Sequence, residues 1–285
     1  MDVFIRQRPP SVARATPVLR VLEISRVLQH EDPDPGRVRR LVRALRRDGV
    51  LRNPPIVTPI AGGDLVVVLD GANRVSALRE MGVSDVAAQV VDYEAPEISV
   101  STWRHYVLEP GESLRKRIAA RLGIGMVPAA GPDEAERRLG RGDGIAGLFD
   151  GDGTAVVGPG MDPVENAGLL GSLVDLYAGT SETYRTDNWD VVGMSHEFGR
   201  GTVVIFPPFG KRDVLKLATG GMRLPAGITR HLIPGRVLRL NVPLAWLVSP
   251  EGIAIKQSRL DQTVEERWRA HEVRHYAEAT YLFDE

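Results

Sequence analysis

The chain contains no cysteine. That absence removes disulfides, thiolate zinc sites, iron–sulfur clusters and cysteine nucleophiles from consideration. Net charge is almost absent too: 36 Lys and Arg against 37 Asp and Glu leave a formal charge of -1. Such a balance supplies no global attraction to nucleic acid or to an anionic membrane, so any basic surface has to be local. Long apolar runs are also missing. The opening MDVFIRQRPPSVARATP has none of signal-peptide length, and no later stretch approaches a membrane span. A soluble cytoplasmic protein without a membrane partner is expected. No repeat of fixed period is present.

What the chain does have is 285 residues, 43% of them hydrophobic, enough to bury a core in one large domain or two modest ones. Two lobes are expected, residues 1–108 and 109–285, because the texture changes beyond Trp103. In the first, residues 18–27 read as a short strand and turn, followed by the polar loop QHEDPDP at 29–35. A helix over 36–48 follows from Val38, Leu41, Val42 and Leu45 at i, i+3, i+4, i+7. Its arginines, 37, 39, 40, 43, 46 and 47, fall mostly on the other faces. They read as a solvated basic face, because no aromatic residues interleave with them as a nucleic-acid surface would require. Strands at 56–59, 65–69 and 86–91 and a helix at 72–81 complete this lobe. In the second, residues 112–122 read as helical and 129–144 as a charged, glycine-rich segment. A hairpin is expected around Asp150-Gly151-Asp152-Gly153; a calcium loop would need a sharp-turn glycine and a closing glutamate that are not in place. A helix over 163–177 precedes about a hundred residues of short strands and loops, closed by a charged helix over 263–279.

The stretch VVVLDGANR, residues 66–74, runs a strand into a turn and a helix. A helix start offers unpaired amides and a partial positive charge, Gly71 lets a phosphate approach closely, and Arg74 on the first turn can clamp it. Asp70, at the strand end, is placed to hold a magnesium ion or orient a nucleophile.

LDGANRVSALREMGVSDVAAQVVD resembles the nucleotide-gripping segment of the ParB/sulfiredoxin superfamily. A sulfiredoxin would need a cysteine in this turn, where Ala72 stands, and the block SVSTWRHYV at 99–107 does not read as the DNA-binding module of chromosome-partition ParB proteins. With residues 222–230 and 235–244 and the loop at 29–31, it is similar instead to the free L-serine kinases of this group, including their siderophore-pathway branch. The resemblance runs from residue 29 to Tyr281-Leu282-Phe283 and is weakest over 123–191. It implies an α/β (α+β) fold, a ParB/sulfiredoxin-like amino-terminal lobe and a larger mixed α+β carboxy-terminal lobe, with the active site in the cleft between them. It implies phosphoryl transfer from ATP, or ADP, with Mg2+ as cofactor, to the hydroxyl of free L-serine, the O-phospho-L-serine then serving a biosynthetic pathway such as that of 2,3-diaminopropionate. By the same resemblance Glu31 is the catalytic base and Asp70 a second essential carboxylate. Gly71, Ala72, Asn73 and Arg74 bind nucleotide phosphate, Trp103 and His105 lie on the substrate side, and Thr229 and Arg230 receive the amino acid's carboxylate or phosphate. Asn73 stands where many relatives carry histidine.

Without the resemblance each residue has an ordinary reading: Glu31 an exposed loop acid, Asp70 a helix cap, Trp103 a core residue, His105 a local hydrogen-bonder. A ParB-like switch for CTP or ATP that binds DNA or a protein partner is the alternative. A third class is raised by His271-Glu272-Val273-Arg274-His275, which matches the H-E-x-x-H zinc-protease pattern and requires both histidines on one helical face. The polar flanks and the lack of a usual downstream third ligand make coincidence the expected reading.

Overall fold

The computed structural model describes residues 16–160, 162–187 and 189–276. In chain order the first part contributes β1 (Val18–Glu23), β2 (Val27–Leu28), α1 (Pro35–Asp48), β3 (Val50–Leu51), β4 (Ile56–Pro59), β5 (Val66–Asp70), α2 (Ala72–Glu80) and β6 (Asp85–Val90). Next come β7 (Ser99–Thr102), β8 (Arg104–Val107), α3 (Gly111–Leu122), β9 (Met126–Ala129), α4 (Pro132–Gly140), β10 (Ala146–Asp150), β11 (Gly153–Val157) and α5 (Ala167–Tyr177). The rest is β12 (Thr183–Thr186), α6 (Val191–Phe198), β13 (Thr202–Ile205), α7 (Lys211–Thr219), β14 (Thr229–Leu232), β15 (Val242–Pro243), α8 (Leu244–Val248) and α9 (Ile253–Arg269). The expected α/β (α+β) class is the one found.

A mixed five-stranded sheet, β1-β6-β4-β5-β2, carries the first core. Strand β5 is apolar on every residue before Asp70 because both its faces are covered: Val66 and Val68 pack under α1 and α2, while Val67 and Leu69 face a second cluster with Val214 and Ala218 of α7. Each buried aliphatic side chain there contributes about 2 kcal/mol. Helix α1 begins where its sequence says it should. Asp34 caps it by accepting from the Arg37 amide, Pro35 opens it, and Gly49 ends it at φ 67°.

The second sheet is antiparallel and six-stranded, β12-β8-β13-β10-β11-β9. Successive residues alternate between its faces: Tyr106, Val156 and Val203 join α4 and α6, while Val107, Val157 and Val204 join α3 and α5. A two-stranded ribbon, β7 with β14, links the sheets.

Several expectations need correction. Residues 129–144 contain α4, whose Asp133 and Glu134 occupy the first turn and Arg137 and Arg138 the last, with only Ala135 and Leu139 buried. A helix with so narrow an apolar stripe looks like a loop in sequence. The stretch expected to be strands and loops also holds α6, α7 and α8. The closing helix runs over Ile253–Arg269, not 263–279; residues 277–279 of that expectation, like 281–283, lie outside the described residues. The helix expected from 163 starts at Ala167, after turns at 163–166.

The chain's end also returns to its beginning. Leu240, Val242, Leu244, Leu247 and Leu260 complete the core of the first sheet. Gln257 of α9 accepts from the Val21 amide (2.7 Å) and donates to Leu19 O (3.2 Å), covering the edge of β1. Lys256 pairs with Asp85 of β6, both buried. No helix among the described residues is long and apolar enough to cross a membrane.

Candidate active site

The turn after β5 is built around Gly71, at φ 96°. A Cβ here would lie 2.8 Å from Arg74 Nε and Nη2 and 3.0 Å from Pro55 Cα, so the bare backbone lets the guanidinium lie flat against the turn. Arg74 Nη2 donates to Asp70 Oδ2 (2.7 Å) and Nη1 to Asn53 O (3.3 Å), while Arg236 Nη1 stands 3.3 Å from the same carboxylate oxygen. Asp70 is therefore not the helix cap. The N-cap of α2 is Gly71, which has no side chain to offer; the Arg74 amide donates to Gly71 O (2.9 Å), and those of Ala72 and Asn73 are left to an anion. Asn73 Oδ1 accepts from the Asp34 amide (2.8 Å), tying the start of α2 to the loop that carries Glu31. Below the turn, Gln29 donates to Ala72 O (2.8 Å) and Ser76 Oγ (3.0 Å) and accepts from Arg79 (3.1 Å).

Glu31 is held by residues far along the chain, 224–229. The flanking backbone pairs with Leu224, whose amide donates to His30 O and whose carbonyl accepts from Asp32 N, each at 2.8 Å. The Gly227 amide donates to Glu31 Oε2 (2.9 Å), and both the amide and the hydroxyl of Thr229 donate to Oε1, the hydroxyl at 2.6 Å. Thr229 Oγ1 then accepts from His30 Nε2 (2.8 Å). Burial holds the His30 imidazole below its ordinary pKa against the opposing pull of Glu31, so a neutral ring with its proton on Nε2 completes the chain His30, Thr229, Glu31. Edge-on to His30 sits His231, hydrogen-bonded to Tyr93 Oη (2.7 Å) and pushed down to about 3 by burial.

The remaining expected residues divide. Trp103 lies under Arg230, whose guanidinium carbon is 4.4 Å from the ring centre and whose Nη1 donates to Asp187 Oδ2 (2.6 Å). Both line the cleft. His105 does not. It is buried behind Gly227, donating from Nε2 to Gly227 O (3.2 Å) and accepting at Nδ1 from Tyr177 Oη (2.9 Å), with its pKa lowered to about 4 by burial. It can steady the turn that holds Glu31 but does not reach the cleft.

A single cleft of about 1370 Å³ unites Glu31, the Asp70–Arg74 turn, Trp103, Thr229 and Arg230. Its wall also contains Arg37, Arg40, Arg185 and Arg236, which the sequence reading missed. For Arg37 and Arg40 a signal existed: they sit at i, i+3 beside Leu41 and Ala44 on one stripe of α1, and that stripe faces the cleft. A Mg2+ ion suits this wall. Among the described residues Asp70 Oδ1 makes no hydrogen bond or ion pair, and this ion is commonly held by one or two carboxylates together with phosphate oxygens and water.

His271–His275 is not on a helix. Chain direction changes at His271, φ 58°, just past the end of α9, so the two-histidine face that zinc proteases use does not form. Among the described residues no group of three or more His, Cys, Asp or Glu is placed to hold a metal ion.

No family model matches the chain. It is 33% identical over 123 residues, 43% of its length, to an ATP-dependent L-serine kinase of Staphylothermus marinus, and that match spans 48% of the relative, about half its length. A longer match, 23% identical over 235 residues, covers 82% of this chain and 86% of the ATP-dependent L-serine kinase SbnI of Staphylococcus aureus. Among solved structures, carboxy-terminally truncated SbnI superposes with a TM-score of 0.72 at 19% identity, covering 88% of this chain and 97% of that one. The chain shares that fold.

Proposed function

We propose that this chain is a free L-serine kinase that transfers the terminal phosphoryl group of ATP to the hydroxyl of L-serine, giving O-phospho-L-serine and ADP. The observation that carries this reading is one cleft in which a carboxylate fixed by three donors, Glu31, shares the wall with an uncapped helix start and its arginine. Phosphoryl transfer asks for little else: positioning, charge neutralisation and an acceptor for one proton. In this reading Glu31 takes the serine hydroxyl proton as the oxygen forms its bond to the γ-phosphorus and the bond to the ADP oxygen breaks. A positioned general base of this kind is worth roughly 10²–10⁴-fold. The amides of Ala72 and Asn73 and the Arg74 guanidinium hold phosphate oxygens. Asp70 would hold Mg2+, which when bound neutralises phosphate charge. Trp103, Thr229 and Arg230 form the substrate side, and His105 stands behind it as support.

The lobes divide the work along a boundary that the chain crosses twice. We assign residues 16–98 with 240–269 to the nucleotide side and 99–239 to the substrate side, in place of a single boundary at 108–109. The fact behind this is the return of Leu240 to Leu260 to the first core. ATP is preferred as donor because the relatives described above are ATP-dependent by name.

Phosphorus NMR tests the reading. Protein incubated with Mg2+, L-serine and either ATP or ADP should produce the O-phosphoserine resonance with ATP. Its appearance with ADP alone would change the donor; its absence with both, while nucleotide still binds, would replace the kinase by a nucleotide-binding switch.

A further inference from the structure

A zwitterionic amino acid with its hydroxyl at Glu31 must place its carboxylate a few ångströms away, and the cleft holds three arginines from the substrate side, Arg185, Arg230 and Arg236, the last already paired with Asp70 at 3.3 Å. Arg230 is already engaged: Asp187 neutralises it through a 2.6 Å bond and Trp103 lies against its face. Arg185, on β12, is not. Among the described residues its side chain makes no hydrogen bond and no salt bridge; it lines the cleft, where it is partly desolvated and feels the Glu31 and Asp34 carboxylates without direct contact. Its guanidinium lies against Gly227, where a Cβ would come within 1.9 Å of Nη2 and 2.1 Å of Cζ. Gly227 is the residue whose amide donates to Glu31 Oε2, and its φ of 83° disfavours any side chain there. A guanidinium without a direct hydrogen-bond partner is thereby held next to the base, whose charge it feels. Arg37 adds a second positive charge to the same wall.

We propose that Arg185, with Gly227 left bare to admit it, is the site that receives the α-carboxylate of the amino-acid substrate and so selects free serine over serine lacking that charge. This rests on the kinase reading and names the part of the substrate that the cleft discriminates. An arginine fork accepts a carboxylate through two parallel bonds. A serine embedded in a peptide chain, whose carboxyl is an amide, would leave the fork unpaired.

Steady-state kinetics of the full chain with L-serine and with L-serinamide, in the wild type and in Arg185→Gln, Arg185→Lys and Arg230→Gln, test this. Loss of a charge-assisted pair should raise KM for L-serine about 100-fold in Arg185→Gln, with kcat, KM for ATP and KM for L-serinamide little changed, so the preference for serine disappears. Arg185→Lys should recover part of it, and Arg230→Gln should keep the preference even where it slows turnover. Retained preference in Arg185→Gln, or its loss in Arg230→Gln alone, would overturn the assignment while leaving the kinase reading intact. A rise in KM for ATP instead would make Arg185 a phosphate ligand and overturn it as well. A wild type that forms no O-phosphoserine would remove the reading itself, and this proposal with it.

Discussion

Glu31 is a carboxylate whose Oε1 is filled by two donors and whose Oε2, with one, keeps a lone pair to spare. Replacing it by Gln keeps the shape but turns one oxygen into an amide that faces either the Gly227 or the Thr229 donors, and it removes the proton acceptor. Glu31→Gln should lower kcat by at least about 10²-fold while calorimetry still detects ATP binding, since the turn at Asp70–Arg74 is untouched; unchanged turnover would remove Glu31 from the chemistry. Gly71 makes a separate point. Gly71→Ala puts a Cβ against Arg74 and Pro55 and strains a residue at φ 96° by about 1–2 kcal/mol. Nucleotide affinity and melting temperature should both fall, and a variant that binds ATP normally would show that Arg74 does not need its present position.

At the scale of elements, the loop 29–34, α2 and β14 are separate in sequence and are locked by side chains that look ordinary one at a time. Asn73 bonds the loop, Gln29 bonds α2, and Thr229 bonds Glu31. Asn73, in a position where a phosphate ligand was expected, spends its carbonyl on the Asp34 amide. The other lock is α9. Lys256 and Asp85 are 1% and 8% exposed at their side chains, so Lys256→Met would strand a buried carboxylate at a cost of about 3–5 kcal/mol. Urea unfolding should register that loss, and the double change Lys256→Met with Asp85→Leu should restore most of it; equal losses in both would mean the pair itself, not the stranded charge, holds α9.

The whole molecule carries a pH dependence that follows from its buried imidazoles. His105 and His231 have pKa values near 4 and 3 in the folded chain against 6.5 when exposed, both through burial. The unfolded chain therefore binds more protons in this window, and stability rises with pH there. It should be fully present above about pH 6.5 and fall as the pH drops toward 4 and then 3, at about 1.4 kcal/mol per pH unit for each ring. Denaturation midpoints measured from pH 7 to pH 4 check this. His231→Asn should flatten the decline, and a midpoint constant across that range would refute it.

Much of this was legible in the chain alone, because short-range physics wrote it there. Periodicity marked α1, the apolar run marked β5, and Asp70-Gly71 marked the turn with Arg74 behind it. The absence of cysteine fixed what chemistry was impossible. Legibility failed where a decision depended on residues far apart. Helix α4 has too thin an apolar stripe to announce itself, and α9 was shifted because its partner, β1, lies at the opposite end of the chain. Arg185 and Arg230 are both arginines on short strands, and the resemblance singled out only Arg230. Only the fold gives Asp187 to one and bare Gly227 to the other, since a guanidinium's role is set by which charges reach it within a few ångströms, and that distance is a property of tertiary packing.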